Sequence, residues 1–335
     1  MDIGIAFDLR TDFAAPPGAP VDRLEEYDSR ETVDAIAAAL AALGHAPRLL
    51  GGGRRFVEAV LARPPELVFN IAEGWGTRSR EAHVPALCEM LGIAFTHSDP
   101  LTLALTLDKA MTKRVIASHG LRTAPFAVVE RANDLARIDL PFPLFAKPAF
   151  EGSSMGIRAT SRVTDERALA AEVTRLLRDY AQPVLVETFL PGAELTVGVL
   201  GNGTGAWALG TMEITPRDGN TADFVYGLET KRDFRRAVTY HSPARTASLA
   251  AVFQSERIAV EAFQALGCRD VARVDFRLDA AGLPNFVEIN PLPGLSPTTS
   301  DLVILANLVG ETFESLIGRI VEAALRRLPQ RSGAS

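Results

Sequence analysis

Residues 272–294, ARVDFRLDAAGLPNFVEINPLPG, constrain the fold more tightly than any other stretch of the chain. Successive side chains of a strand point to opposite faces, so Arg273, Asp275 and Arg277 share one face and Val274, Phe276 and Leu278 the other. After the turn residues Asp279 to Gly282, Glu288 and Asn290 share a face, with Val287 and Ile289 behind them. This is a hairpin whose apolar face needs a core. If Asp279 pairs with Pro284, Asp275 lies opposite Glu288 and Arg273 opposite Asn290. Two carboxylates facing one another across a ladder repel. Either they stand on an exposed face neutralised by Arg273 and Arg277, or they share a cation. Oxygen ligands from Asp275, Glu288 and Asn290, completed by phosphate oxygens, suit magnesium.

The chain can supply that core. Its 335 residues are 47% hydrophobic and 23% charged, which at about 150 residues per domain makes two or three globular domains. Lys and Arg number 35 against 41 Asp and Glu, a net charge of −6. Nucleic acid and anionic membrane both favour a basic surface and are excluded as main partners. The two cysteines, Cys88 and Cys268, form no CxxC and lie in no Cys/His cluster, and the five histidines are scattered. Neither a disulfide framework nor a thiolate zinc site is expected. Asp2, Asp8 and Arg10 interrupt the opening segment MDIGIAFDLRTDF, which therefore lacks a signal-like apolar core. With no apolar run of roughly eighteen residues, no spanning helix is expected. The expectation is a soluble, reduced, cytoplasmic protein.

The first hundred residues alternate apolar runs with helical patterns, as an open α/β sheet does. Strands are predicted at 3–7, 66–72 and 93–97. Helices are predicted at 31–43, where Asp28 and Glu31 fit a capping box and Gly44 a stop, and at 80–91. GGGRRF at 51–56 reads as a turn. Asp99 before Pro100 looks like a helix N-cap with proline in first position, and a helix follows over 108–120. Beyond that the pattern is strand-rich (FAVVE, LFAKPA, PVLVETFL, ELTVGVLG), with a helix near 165–179. Residues 246–266 and 311–328 read as helices and 271–290 as the hairpin, with a short polar tail at the end. The boundaries fall near 100 and 190, giving units of 1–100, 101–190 and 191–330. The charged, weakly periodic stretch 216–238 reads as a lid or mobile loop.

Two further segments invite chemistry. In FPLFAKPAFEGSSMGI (142–157) a strand ends in Lys147, and the small residues Gly152 to Gly156 follow. Such a loop can close on phosphate while the lysine supplies a point charge, although by itself GSSMG is more often a plain turn. It is neither a Walker A nor a Rossmann fingerprint. In PVLVETFLPGAELTVGVLG (183–201) two strands flank a Pro-Gly turn with Glu187 and Glu194 beside it. The turn needs no function, yet such a connector can hold an adenine and its ribose.

In the order LDKAMTK, KPAFEGSSMGI, VETFLPGAELTVGVL, RVDF and EINPLPG, these segments resemble the ATP-grasp superfamily, and within it the D-alanine–D-alanine ligases. The resemblance runs from about residue 66 to residue 307. It implies a mixed α/β and α+β architecture: a Rossmann-like N-terminal domain followed by the two subdomains of an ATP-grasp fold, with ATP between them. By motif, Lys109 and Lys147 contact phosphates and the Ser153–Ser154 loop covers them. Glu187, the backbone at Leu190 and Glu194 hold adenine and ribose, and Lys231 belongs to a loop that closes over the nucleotide. Asp275, Glu288 and Asn290 hold two magnesium ions, or manganese in their place. Arg273 stabilises the oxyanion of a tetrahedral intermediate. Gly294 and Ser300 bind the second substrate's carboxylate. Glu31 matches the glutamate that holds the first amino acid's ammonium group, or it only caps its helix with Asp28.

The implied activity is ATP-dependent ligation of a carboxylate to an amine through an acyl phosphate, with amino acids or close analogues as substrates and a homodimer as the state the family suggests. Several positions depart from the family. The N-terminal glycine-rich stretch is FDLRTDFAAPPGAP. Glu73 stands where the family has histidine, with Trp75 and Arg78 added. Arg232 replaces an aromatic residue that joins a network with Glu31 and Ser153, and Pro291 replaces threonine. These changes favour weighing a ligase with substrates other than D-alanine, as in specialised metabolism. A phosphotransferase on the same fold and a non-catalytic nucleotide binder are further alternatives. The Arg273, Asp275, Glu288 and Asn290 set argues against the last.

Overall fold

Strand β1 (Asp2–Phe7) lies between β2 (Ala46–Gly51) and β3 (Leu67–Ile71) in a parallel sheet ordered β2-β1-β3. Parallel neighbours need crossovers, and α1 (Arg30–Ala42) and α2 (Gly53–Ala62) provide them. The computed structural model describes residues 1–328 apart from 218, 220 and 222. The predicted polar tail and the end of the third predicted unit lie outside the described residues.

Three sequence expectations change in this unit. The N-cap of α1 is Ser29, whose Oγ accepts from Thr32 N at 3.4 Å; Asp28 is instead held in a bridge with Leu9. GGGRRF is more than a turn, because α2 starts at Gly53 and buries Phe56 and Val60. The glycines obscure a helix whose apolar face lies further on. Residues 93–97 form no strand: Phe95 makes one bridge to Val68, and His97 leaves extended geometry at φ 71°. There the backbone N–H of His97 donates to Asp270 at 2.8 Å, a partner no local pattern announces.

Helix α3 (His83–Leu91) precedes α4 (Pro100–Leu107) and α5 (Lys109–Ser118). Asp99 and Asp108 cap the last two, accepting from Thr102 N at 2.9 Å and Met111 N at 3.0 Å. The second sheet is antiparallel, with β4 (Phe126–Val129), β5 (Leu144–Pro148), β6 (Arg162–Val163) and β7 (Val184–Thr188) ordered β4-β7-β5-β6. Helix α6 (Glu166–Tyr180) covers one face, packing Leu169, Val173 and Leu176 on Leu144, Ala146 and Val186.

The third sheet is built from β8 (Glu194–Asn202), β9 (Trp207–Pro216), β10 (Val238–His241), β11 (Arg269–Leu278) and β12 (Pro284–Asn290), in the order β10-β9-β8-β11-β12. Between β9 and β10 the charged stretch folds into two short helices, α7 (Leu228–Arg232) and α8 (Phe234–Ala237). Helix α9 (Leu249–Ala265) buries Ile258, Ala262 and Phe263 against Val274 and Phe276 of β11. Ile116 of α5 joins that same core, so α5 packs with the third sheet although it precedes the second. Helices α10 (Asp301–Leu308) and α11 (Phe313–Arg326) return to α1 and β1, where Ile317 and Ile320 pack with Ile36 and Ile3.

The hairpin places its acids opposite one another by an unexpected route. Leu278, not Asp279, pairs with Pro284, so the turn is one residue out of the expected register. A bulge at Val287 restores the count, and Asp275 faces Glu288 while Arg273 faces Asn290. A bulge next to a site re-aims side chains, and here it brings both acids to one face.

Candidate functional site

Two cavities meet between the three sheets. The larger, about 450 Å³, is lined by Lys109, Ser153, Arg273, Asn290, Gly294 and Ser300 together with residues of the N-terminal unit. The smaller, about 100 Å³, is lined by Lys147, Ser154, Glu187, Leu190, Glu194 and Asp275. Tyr226, Lys231, Glu288 and Asp301 line both. The residues singled out by motif thus fall on one of two joined cavities or on their seam, with one exception. Glu31 lines neither; it is exposed in the first turn of α1, where the Ser29 hydroxyl holds its carboxyl below the ordinary value. Its placement matches the helix-terminus role and leaves it out of the cavity.

In the smaller cavity Lys147 Nζ meets Glu187 Oε1 at 2.7 Å, and Lys113 Nζ meets Glu187 Oε2 at 2.8 Å. Burial alone would raise Glu187, but the two lysines bring it down to about 2. Burial lowers Lys113 despite Glu187, whereas for Lys147 the pull of Glu187 and Glu288 outweighs burial. Lys113 was not singled out by motif, yet it lies one helical turn beyond Lys109 on the same face of α5. Glu194 is pushed up to about 7 by burial, against the nearby Arg277 at 3.6 Å. Ser153 and Ser154 both adopt left-handed backbone, at φ 48° and 58°, which costs a non-glycine residue energy and marks a loop held by its surroundings. Ser154 Oγ donates to the Tyr226 carbonyl at 3.2 Å.

On the seam, Arg273 grips Asp275 with Nη2 to Oδ2 at 2.8 Å and Nε to Oδ1 at 3.1 Å. Thr196 donates to the same carboxylate at 2.9 Å. Glu288 makes only looser contacts, 3.5 Å to Lys109 and 3.7 Å to Arg273. Burial would raise it, but Lys109, Lys147, Arg273 and Lys231 hold it far below the ordinary carboxylate range. An ionised carboxylate that stands off from every neighbour, opposite a second carboxylate and beside Asn290, is a donor set that fits a hard divalent cation. Asp301 was not anticipated: it heads α10, accepts from Tyr226 at 3.0 Å and stands 3.8 Å from both Lys231 and Arg273. Its only sequence signal is an acid in the first turn of an apolar helix. A Cβ on Gly294 would come within 2.9 Å of Ser300 Oγ, so a larger residue there would require Ser300 to shift. Arg232 pairs with Glu25 rather than with Ser153 or Glu31.

A protein-family model described as "D-ala D-ala ligase C-terminus" matches residues 115–322. A protein of Sinorhizobium fredii described as "Uncharacterized protein y4sG" is 35% identical, over 88% of this chain and 87% of its own. The D-alanine–D-alanine ligase of Bordetella petrii is 34% identical, over 85% of this chain and 84% of its own. The chain belongs to the D-alanine–D-alanine ligase family. The D-alanine–D-alanine ligase of Bacillus anthracis complexed with ATP superposes with a TM-score of 0.72 at 20% identity, covering 97% of each chain. The fold is therefore the ATP-grasp fold expected from the motifs, and the protein is a D-alanine–D-alanine ligase-like, ATP-dependent C–N ligase. Among the described residues no helix is long and apolar enough to cross a membrane.

Among the departures from the family, Glu73, Arg232 and Pro291 line the larger cavity, as does Tyr27, which packs with Phe13 and Trp75. Phe13, Tyr27 and Trp75 form an aromatic group, with Phe13 and Trp75 stacked at 4.8 Å and Tyr27 4.4 Å from Phe13. Tyr27 donates to the Gly74 carbonyl at 2.9 Å, tying the proline-rich N-terminal loop to the segment that carries Glu73. The loop of Ser153 is fastened to the same unit, because Asp22 accepts from Gly156 N at 2.9 Å and from Tyr180 at 2.8 Å.

Proposed function

We propose that this ligase joins two amino acids, or close analogues, through an acyl phosphate, with ATP in the smaller cavity and both substrates in the larger. The observation that carries this reading is the seam: Lys231, Glu288 and Asp301 line both cavities, so a phosphoryl group passing between them stays within reach of the same side chains. Lys147 and Lys113 would steady the phosphates from the smaller cavity and Lys109 from the larger, while the Ser153–Ser154 loop covers them. The Leu190 backbone and Glu194 would hold base and ribose. Glu187, already saturated by two lysines, would act by aiming them.

In the first step an oxygen of the first substrate's carboxylate bonds to the γ-phosphorus as the bond to the ADP oxygen breaks. In the second, the amine nitrogen of the other substrate bonds to the acyl carbon, phosphate leaves with its bonding electrons, and the nitrogen loses a proton. Asp275, Glu288 and Asn290 would hold magnesium, two ions by analogy with the family, which neutralises the charge spread over the transferred group. Arg273 lies beside these residues and would meet the oxyanion of the tetrahedral intermediate. Gly294 and Ser300 would seat the second substrate's carboxylate. A reaction that consumes ATP, run by a chain with two free buried thiols, fits a cytoplasmic enzyme.

The test is phosphate release from ATP and Mg²⁺ across single and paired D- and L-amino acids, with products weighed by mass spectrometry. A coupled product of dipeptide mass with stoichiometric phosphate is expected. A phosphorylated product that accumulates without any coupled species would replace the ligase with a phosphotransferase.

A further inference from the structure

The part of the larger cavity wall built from the N-terminal unit carries charges that do not balance. Glu26 is taken up by Arg80, with Nη2 to Oε2 at 2.7 Å and Nε to Oε1 at 3.0 Å. Arg80 also reaches Glu151 at 3.4 Å, and Arg23 meets Glu151 at 2.9 Å. Three more carboxylates line the cavity here: Asp28, Glu73 and Glu81. None of them has a side-chain hydrogen bond or an ion pair among the described residues. Glu81 is only 9% exposed, so its carboxyl is removed from bulk water yet open to the cavity. A buried acid with no partner costs several kcal/mol when ionised, and here only the more distant attraction of Arg80 and Lys109 offsets part of that cost.

These acids do not form a metal site. Among the described residues no three His, Cys, Asp or Glu side chains stand close enough to share a metal ion. The carboxylates are spaced around a wall, which suits an extended organic cation. Lys231 and Arg273 line the same cavity beside Glu288, and Lys109 lies between the two groups, donating to the Glu151 carbonyl and standing 3.5 Å from Glu288. A ligand lying along the cavity would therefore place its anionic carboxylate toward the seam and its positive groups toward Asp28, Glu73 and Glu81. A single α-ammonium offsets one carboxylate of the three.

Resting on the ligase reading above, we propose that the first substrate is a basic amino acid, whose side-chain ammonium or guanidinium group sits among Asp28, Glu73 and Glu81. The electrostatics of the pocket agree. Asp28 is pushed up to about 7 by burial and by Asp8. Glu81 is raised to about 7 by burial and Glu26, against Arg80 and Lys109. Glu73 is raised well above its ordinary value by burial, Glu81, Glu26 and Asp28, against Arg80. A cationic side chain would displace protons from these carboxyls, as a paired carboxylate is the more acidic one.

Calorimetric titration of the full chain tests this, with a non-hydrolysable ATP analogue and Mg²⁺ present. The probes are lysine, ornithine and arginine in both hands, against alanine of the same hand. At least one basic amino acid is expected to bind roughly tenfold or more tightly than alanine. Glu81→Gln and Glu73→Gln, both near-isosteric, are each expected to erase most of that preference, read as the ratio of basic-probe to alanine affinity. Alanine binding as tightly as every basic probe would overturn the proposal, as would an undiminished preference in both variants. A coupled product made only from neutral amino acids would remove the proposal and keep the ligase reading. Tight lysine binding without any coupled product would do the reverse.

Discussion

Arg232 holds Glu25 at two points, Nη2 to Oε2 at 2.8 Å and Nε to Oε1 at 3.3 Å. The same guanidinium donates to the Val21 carbonyl at 3.3 Å. Through it α7, which carries Lys231 on the seam of the two cavities, is fastened to the proline-rich loop of the N-terminal unit. The family's aromatic residue at this position is thus replaced by a charge that clasps two units across the cavity mouth.

Arg232→Ala is expected to leave the melting temperature almost unchanged, since the ion pair is half exposed and such pairs contribute about 0–1 kcal/mol. The effect belongs instead on KM for ATP and for the first substrate, both rising several-fold as Lys231 loses its anchor. Steady-state kinetics beside a thermal melt separate the two. A large fall in Tm with unchanged KM would mean that the pair serves the fold alone.

Glu288→Gln keeps the shape of the hairpin and removes the charge opposite Asp275. Lys109 and Arg273 lose a shared counter-ion, so the fold is expected to change by no more than about 1–2 kcal/mol, because the repulsion between the two acids is relieved as well. Turnover should fall by roughly three orders of magnitude, with the Mg²⁺ concentration needed for half-maximal rate rising. Near-normal activity at ordinary Mg²⁺ would withdraw Glu288 from the metal ligands.

How much of this was legible from sequence depends on the length scale of the interaction. Alternation along 272–290 placed the hairpin's two faces, because the period of a strand is a local property. The opposition of Asp275 and Glu288 was read through a turn that is one residue out, and the bulge at Val287 cancels that error. No local pattern distinguishes the two routes. Lys113 could have been found, since its spacing from Lys109 puts both on one helical face. Glu73 stood out only as a departure from the family's histidine and Asp28 only as a cap, while Glu81 is polar in an ordinary local setting. Their lack of partners exists only once β1, β3 and the turn before α3 converge. Glu31 was drawn toward the site by motif, while the fold leaves it in water.

Arg327 illustrates an interaction invisible to motif reading. Its guanidinium meets both oxygens of Asp270 at 3.0 Å, and Asp270 is fully buried. Burial raises Asp270, and Arg327 opposes that rise. Arg327→Met would strand a buried carboxylate between the first and third sheets, at an expected cost of about 3–5 kcal/mol. Chemical denaturation measures it. The double variant Arg327→Met with Asp270→Asn should recover most of the loss, because the charge that needed a partner is gone.

The acidic wall predicts an unusual dependence of stability on pH. Glu81 is raised from 4.5 to about 7 and Asp28 from 3.8 to about 7. Below the unfolded values both states are protonated, and these groups contribute nothing to the difference. As pH rises from about 4.5 to 7 the unfolded chain releases protons that the folded chain keeps, so stability falls across that window and stays low above it. Glu187 acts in the opposite sense and elsewhere: lowered to about 2, it stabilises the fold above pH 4.5 and loses that effect as pH falls toward 2. Glu81→Gln is therefore expected to stabilise the ligand-free protein at pH 8 by about 1–3 kcal/mol, seen as a higher melting temperature, and to leave its stability unchanged near pH 4.5. Thermal melts of both proteins across this range check the sign. A variant less stable than the parent at pH 8 would show that Glu81 already has a counter-ion, and the cavity wall would then be neutral without a ligand.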